Sequence, residues 1–451
     1  MRRDLCRDQK PNSIIATTSL VTYQERTYWL DTVSMPRGTD GPLPEAVDVA
    51  VVGAGFTGLS AARTFAKRGV RVAVLEGKTI GWGASSRNGG MVLTGLKLGA
   101  EILAKRYGME LARRMYAATL SAIDCVEQIV AEESIDCNFS RCGDLQVACK
   151  PSHFNTYQKS AEFMASEFNH QTRIVSKSEL PAEIGSHLYY GGIVDEVSAG
   201  LNPACYVAGL ARAAQKAGAQ IYERTQVSGI EKSARNGTSG FTVRNRRGLL
   251  FAKDVLIGTS GYTDSMVPKL RQKIIPIGSF IMATEPLSEG LARELIPRNR
   301  MISDSKHYLH YYRLTPDGRM LFGGRAAFFP ETSTTVQRSV EILRRDMLNI
   351  FPQLRDVKVE YAWGGTLDFT FDMMPHAGQT DGIYHSLGYA GHGVAMASYL
   401  GTKVAEAVCG DEDANPFRDI PFPDAPFGLY RRTPWFLPFA GAWYKVLDWV
   451  S

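Results

Sequence analysis

The sequence predicts an α/β fold, α+β overall, in which a parallel-sheet domain carries an inserted antiparallel sheet. Three observations predict it. Residues 47–75 read as buried strand, glycine turn, helix and second buried strand. A second strand, glycine turn and helix recurs at 383–408. Between them, residues 274–284, 308–314 and 320–323 have the composition of strands, with Pro316, Asp317 and Gly318 as a hairpin turn.

The first unit is the most informative. Residues 47–52 are a short β-branched run, followed by Gly53, Gly55 and Gly58 in G-x-G-x-x-G spacing. Gly53 permits the tight turn, Gly55 lets the backbone approach a pyrophosphate, and Gly58 lets the following helix pack closely on the sheet. Phe56 and Thr57 open that helix, whose N-terminal amides and dipole suit phosphate. The second strand, 70–75, leads into Glu76 and Gly77, where a carboxylate can accept both hydroxyls of an adenosine ribose. The order of all five parts makes this a Rossmann-like dinucleotide site rather than a plain βαβ turn. Glutamate at the strand end argues against a 2′-phosphate and so against NADP.

The next segment, Gly81-Trp82-Gly83-Ala84-Ser85-Ser86-Arg87-Asn88-Gly89-Gly90, supplies small residues, backbone donors and one cation. Such a loop can line a second phosphate and the edge of a ring system. The stretch resembles the cofactor signature of the D-amino-acid-oxidase-like (DAO) flavoproteins, most closely their γ-glutamylputrescine oxidoreductase branch. That resemblance implies a glutathione-reductase-like FAD-binding domain with an inserted antiparallel-sheet substrate domain. It extends from the Tyr28-Trp29 pair of an N-terminal arm through Trp363-Gly364-Gly365-Thr366 to Gly388-Tyr389-Ala390-Gly391-His392-Gly393-Val394. In the last segment the family points a helix N-terminus at the flavin pyrimidine edge, where negative charge gathers on reduction.

In chain order, residues 1–45 are an arm and linker, without the continuous apolar run of a signal peptide. The resemblance implies a discontinuous FAD domain, 46–139, 196–271 and 361–411, and a substrate domain, 140–195 and 272–360. A long helical region is expected at 99–135, a strand at 143–149, and a helix at 204–216 before a strand at 219–222. Val227 follows; the family holds adenine through the matching backbone, while a buried strand valine reads equally well. Thr259 and Gly261 lie in a small-residue turn that resembles the one closing over the nucleotide. A helix is expected at 334–350. The tail, 412–451, is aromatic near its end, and packing or an oligomer contact is favoured for it over shallow membrane association.

The bulk composition excludes other classes. A net charge of +5 spread along 451 residues gives no nucleic-acid face, and the basic cluster near 245 reads as a hairpin turn. Seven cysteines without paired spacing suggest reduced thiols and a cytoplasmic address. No C-x-x-C or His/Cys cluster indicates a metal.

The chemistry the family implies is amine oxidation: hydride passes from the C–N carbon to flavin N5, and the imine hydrolyses to an aldehyde or oxo acid. The protein supplies orientation and electrostatics, without an obligatory base. Candidate catalytic residues are His392, Arg325, Tyr312 and His310, with His307 and Tyr311 nearby. Arg325 could pair with a substrate carboxylate or form a structural salt bridge. His310 and Tyr312 alternate with Tyr311, so only one side can face the flavin. His392, in the glycine turn, could touch flavin or substrate. Family members that attach FAD covalently do so through cysteine; Leu367 stands at the matching position, so FAD is expected to be non-covalent. The lysine that activates oxygen in such enzymes is absent from 318–322, leaving oxygen, a quinone or a protein as electron acceptor. The alternative activity is an amino-acid or N-methylglycine dehydrogenase with a non-oxygen acceptor.

Overall fold

The computed structural model describes residues 23–324 and 332–426, together with Tyr430, Phe436, Leu437 and Phe439. Two sheets organise them. The first has a parallel core in the order Ile383–Leu387, Gly248–Ile257, Ala46–Val52, Val72–Leu75, Gln220–Tyr222. Strands Val227–Arg235 and Thr238–Asn245 extend it as an antiparallel meander joined to the start of Gly248–Ile257. The basic cluster sits at the Asn245–Gly248 end of that hairpin, as the sequence predicts.

The parallel strands are buried on both faces, which explains their continuous apolar runs. Helix Phe56–Lys67 covers one face, and its residues from Phe56 to Phe65 are all buried. It packs between helices Pro203–Lys216 and Gly393–Val408. A Cβ on Gly401 would come within 2.3 Å of the Thr57 carbonyl oxygen, so only glycine permits this helix crossing.

The second sheet has nine strands, and its centre is Val359–Thr370, Ile274–Pro286, Arg319–Gly324, His310–Leu314 and Met301–Asp304. One face packs on helix Ser333–Ile350 through Phe280, Met282, Phe322 and Val340. The other face turns toward the glycine-rich loop and carries Ile281, Leu321, Trp363 and the arm residues Tyr28 and Trp29.

Several boundaries differ from the sequence expectation. The helical region 99–135 is two helices, Ala100–Tyr107 and Met109–Glu132, because Gly108 adopts a φ of 82° between them. Helix Pro151–Phe168 was not foreseen; Met164 is its one buried residue, so its apolar pattern is faint. The boundary expected at 361 falls inside Val359–Thr370, which pairs along its length with Ile274–Pro286. The change of sheet comes after Thr370, and the next strand, His376–Thr380, pairs antiparallel with Ile383–Leu387 of the first sheet. Of the tail, Tyr430 and Leu437 pack on Ile275, Ile277 and Phe369, and the Tyr430 hydroxyl donates to the Ile274 carbonyl at 2.9 Å. Among the described residues no helix is long and apolar enough to cross a membrane.

Candidate active site

A cavity opens at the carboxyl ends of the parallel strands, where Val52, Leu75 and Gly258 line it. The strand order places Gly53, with φ of 104°, at the turn into helix Phe56–Lys67. A Cβ on Gly58 would stand 1.9 Å from the Gly53 carbonyl oxygen, so Gly58 serves helix packing rather than the cavity wall. Gly53, Gly55, Phe56 and Thr57 do line the cavity, as do Glu76 and Gly77. Glu76 accepts from the Ala54 amide at 2.8 Å and, through its other oxygen, from the Lys78 amide at 2.8 Å. Burial raises its carboxyl above the ordinary value, opposed by those two donors.

The loop after the second strand folds back onto the helix start. Ser85 Oγ accepts from the Phe56 amide at 2.9 Å. Asn88 donates to the Ala84 and Ser85 carbonyls and accepts from the Gly90 amide at 2.7 Å. Three consecutive carbonyls are then held from outside the loop. Ser86 accepts from Thr27 Oγ1 at 3.1 Å, Arg87 from Trp363 Nε1 at 2.9 Å, and Asn88 from Trp29 Nε1 at 2.9 Å. Gly83, Ala84, Ser85 and Asn88 reach the cavity. Arg87, expected as a phosphate cation, instead donates to the Trp82 and Gly364 carbonyls and lies over the Trp82 ring. Gly89 and Gly90 sit one layer behind: a Cβ on Gly89 would approach the Tyr311 ring at 3.2 Å, and one on Gly90 the Leu201 carbonyl oxygen at 2.1 Å.

The second glycine turn closes the cavity from the other side. Gly391, Gly393 and Val394 line it, with Tyr389 beneath. The Tyr389 hydroxyl lies 2.8 Å from both Thr57 Oγ1 and Ser386 Oγ, tying the two glycine motifs together. Gly388, with φ of 85°, donates its amide to Asp368 Oδ2 at 2.6 Å. Asp368 is buried on the cavity wall, and desolvation raises its carboxyl. His392 caps the helix Gly393–Val408 from just outside the lining. Burial, reinforced by Lys97, holds its imidazole down to about 4, so it is neutral at physiological pH. Its Nδ1 is buried without a hydrogen-bond partner.

The structure separates the other candidates. Tyr312 is fully buried on the helix-packed face, stacked on Phe322, its hydroxyl 2.9 Å from that of Tyr189. His310 lies on the same face, with Nδ1 2.9 Å from Asp304 and Nε2 3.2 Å from Asp346. Both therefore belong to the core behind the sheet, and the catalytic roles expected of them are corrected. Strand alternation turns Tyr311 and Arg313 to the loop instead. His307 is exposed, and Arg325 lies outside the described residues. Val227 and Thr259 reach the cavity, whereas Gly261 packs against the Leu367 carbonyl at 3.0 Å from a Cβ position. Sequence reasoning missed Tyr262, Met266 and Asp368 as lining residues. Tyr262 packs edge-on to Trp82, a contact between segments 180 residues apart that no local pattern encodes.

Comparison with known proteins places this cavity in context. The family model described as "DAO: FAD dependent oxidoreductase" matches residues 48–407. A probable oxidoreductase, OrdL, of Haemophilus influenzae is 35% identical over 405 residues, 87% of this chain and 90% of that protein. The γ-glutamylputrescine oxidoreductase of Escherichia coli is 34% identical over 404 residues, 89% of this chain and 92% of its own. Among solved structures, glycine oxidase from Geobacillus kaustophilus superposes with a TM-score of 0.68 at 20% identity, over 86% of this chain and 99% of that one. L-amino acid deaminase from Proteus vulgaris gives 0.69 at 17% identity, over 85% and 99%. At these identities the two structures speak to the fold, a cofactor domain joined to a substrate domain with an antiparallel sheet.

Proposed function

The chain belongs to the DAO family of FAD-dependent oxidoreductases, and from that premise we propose that it oxidises the C–N bond of a small amine, γ-glutamylputrescine or a close relative. The observation that carries this reading is the near full-length similarity to a γ-glutamylputrescine oxidoreductase.

The cavity residues fit an FAD. A Cβ at Gly55 would stand 2.8 Å from Ser85 Oγ, and one at Gly77 2.3 Å from Gln226 Oε1, so glycine at both positions lets Ser85 and Gln226 close up against the cavity wall. First-turn amides of helix Phe56–Lys67 would meet the pyrophosphate, Glu76 the ribose, and the N-terminus of helix Gly393–Val408 the ring. The flavin, when bound, supplies the two-electron acceptor for the hydride leaving the amine carbon. His392, uncharged, would add no ionised side chain at the start of helix Gly393–Val408, leaving the helix N-terminus as the positive element there. Water then hydrolyses the imine to aldehyde and ammonia. Leu367 on the cavity wall cannot form a thioether, and no described cysteine lines the cavity, which supports non-covalent FAD. The described cysteines are all free thiols, in keeping with a cytoplasmic address.

Anaerobic mixing of the FAD-loaded protein with γ-glutamylputrescine, followed by air, tests the reading. Bleaching of the flavin is expected; colour returning on aeration identifies oxygen as acceptor. Failure to bleach with any of a panel of primary and secondary amines overturns it. The absence of lysine from strand Arg319–Gly324 favours a second reading, an amino-acid or N-methylglycine dehydrogenase with a quinone or protein acceptor. Turnover of those substrates with an artificial acceptor but not with oxygen would select it.

A further inference from the structure

Arg313 is 4% exposed and lies on the face of strand His310–Leu314 that meets the glycine-rich loop. Its Nη1 donates to the carbonyls of Leu201 at 2.9 Å, Gly90 at 3.0 Å and Gly89 at 3.5 Å, and its Nε to that of Leu314 at 3.1 Å. The Trp29 ring lies 5.9 Å from the guanidinium carbon. No described carboxylate pairs with it; the ionisable groups whose fields reach it are Cys142 and Tyr28.

The other buried arginines differ. Arg300 pairs with Glu183 and Glu196, and Arg63 with Glu132 and Glu133. A buried cation without a counter-charge is costly, and mutation to a neutral residue would remove that cost if Arg313 were only a clamp. Burial lowers its guanidinium to about 10, which still leaves it charged at neutral pH. The loop it grips is thin at this point: Asn88, the residue before Gly89, lines the cavity. A full positive charge thus stands one backbone layer behind the cavity wall, solvated by four carbonyl dipoles but neutralised by no described carboxylate and shielded from water.

We propose that Arg313 is a positioning residue whose uncompensated charge raises the reduction potential of the bound flavin. This rests on the FAD reading above. The charge acts through space on the electron density the ring gains on reduction, in the same sense as the helix N-terminus at Gly393. It touches neither substrate nor ring, and its hydrogen bonds to the loop fix the distance.

The experiment uses the full-length FAD-loaded protein with Arg313→Gln and Arg313→Lys. Flavin content, midpoint potential by dye equilibration, and sulfite affinity are measured, since sulfite addition also places negative charge on the ring. Arg313→Gln is expected to retain FAD, weaken sulfite binding about tenfold, and lower the two-electron midpoint by about 30 mV per tenfold. Arg313→Lys, at mildly acidic pH where it stays charged, is expected to keep both near wild type. A Gln variant that binds FAD with unchanged potential and sulfite affinity overturns the proposal, as does a Lys variant shifted as far as Gln. If the Gln variant does not fold, the Lys variant decides alone. Its midpoint must fall more steeply with pH than that of the wild type as the buried ammonium loses its proton, and parallel slopes overturn the proposal. A wild-type protein that takes up no FAD would instead overturn the cofactor reading.

Discussion

His310→Gln gives the sharpest test of how the second sheet is built. His310 is buried between Asp304 and Asp346 at 2.9 and 3.2 Å. Although desolvation pulls its imidazole down, the two carboxylates outweigh it and raise the value from 6.5 to about 9. At about 1.4 kcal/mol for each tenfold in proton affinity, the protonated form gains about 3 kcal/mol from folding. The group binds its proton more tightly in the folded state. Its contribution is therefore fully present below pH 6.5 and is lost as pH rises through about 9. The assay is urea unfolding of wild type and variant at a series of pH values across that window. The wild-type advantage should be near 3 kcal/mol at the acidic end and shrink steadily toward the alkaline end. A gap independent of pH, or one widening with pH, would refute the reasoning. Flavin reduction by substrate should be retained in the folded variant; its abolition would return His310 to the catalytic machinery.

Further outcomes follow from the cavity. Glu76→Ala removes the acceptor of two amide hydrogen bonds and of the proposed ribose contact, at about 1.5–3 kcal/mol for a charged hydrogen bond. FAD affinity, read from flavin fluorescence, should fall ten- to a hundredfold. Gly58→Ala places a methyl 1.9 Å from the Gly53 carbonyl oxygen, so the purified variant should be colourless or unfolded. Acid precipitation of the holoenzyme should leave yellow supernatant and a white pellet, because Leu367 offers no sulfur for attachment; a yellow pellet would show a covalent link.

The cofactor half of the molecule was legible because its requirements are local. Gly53, Gly55 and Glu76 are separated by short, fixed spacings that one turn, one helix and one strand must satisfy, and the 383–387 strand coincides with the observed Ile383–Leu387. The substrate half was less legible because both faces of its central strands are buried. Alternation shows that His310 and Tyr312 part from Tyr311, but not which set meets the loop. That is decided by helix Ser333–Ile350, which covers one face, and by the arm, which covers part of the other. Gly401 was unreadable for a related reason: its neighbour, Thr57, lies more than three hundred residues earlier. Tyr262 and Asp368 reach the cavity from the end of one sheet and the bend of another.

The three loop carbonyls held by Thr27, Trp363 and Trp29 have a bearing on how the protein assembles. Their donors come from near the start of the chain and from close to its last strands, while the loop itself belongs to the first βαβ unit. Cofactor capture is thereby linked thermodynamically to docking of the arm and completion of the distant sheet, so each favours the others. A nascent chain displaying only the first unit would own every glycine of the fingerprint yet hold nucleotide weakly. Conversely, saturating FAD should protect the arm from proteases, although its tryptophan reaches the site only through the backbone of another segment.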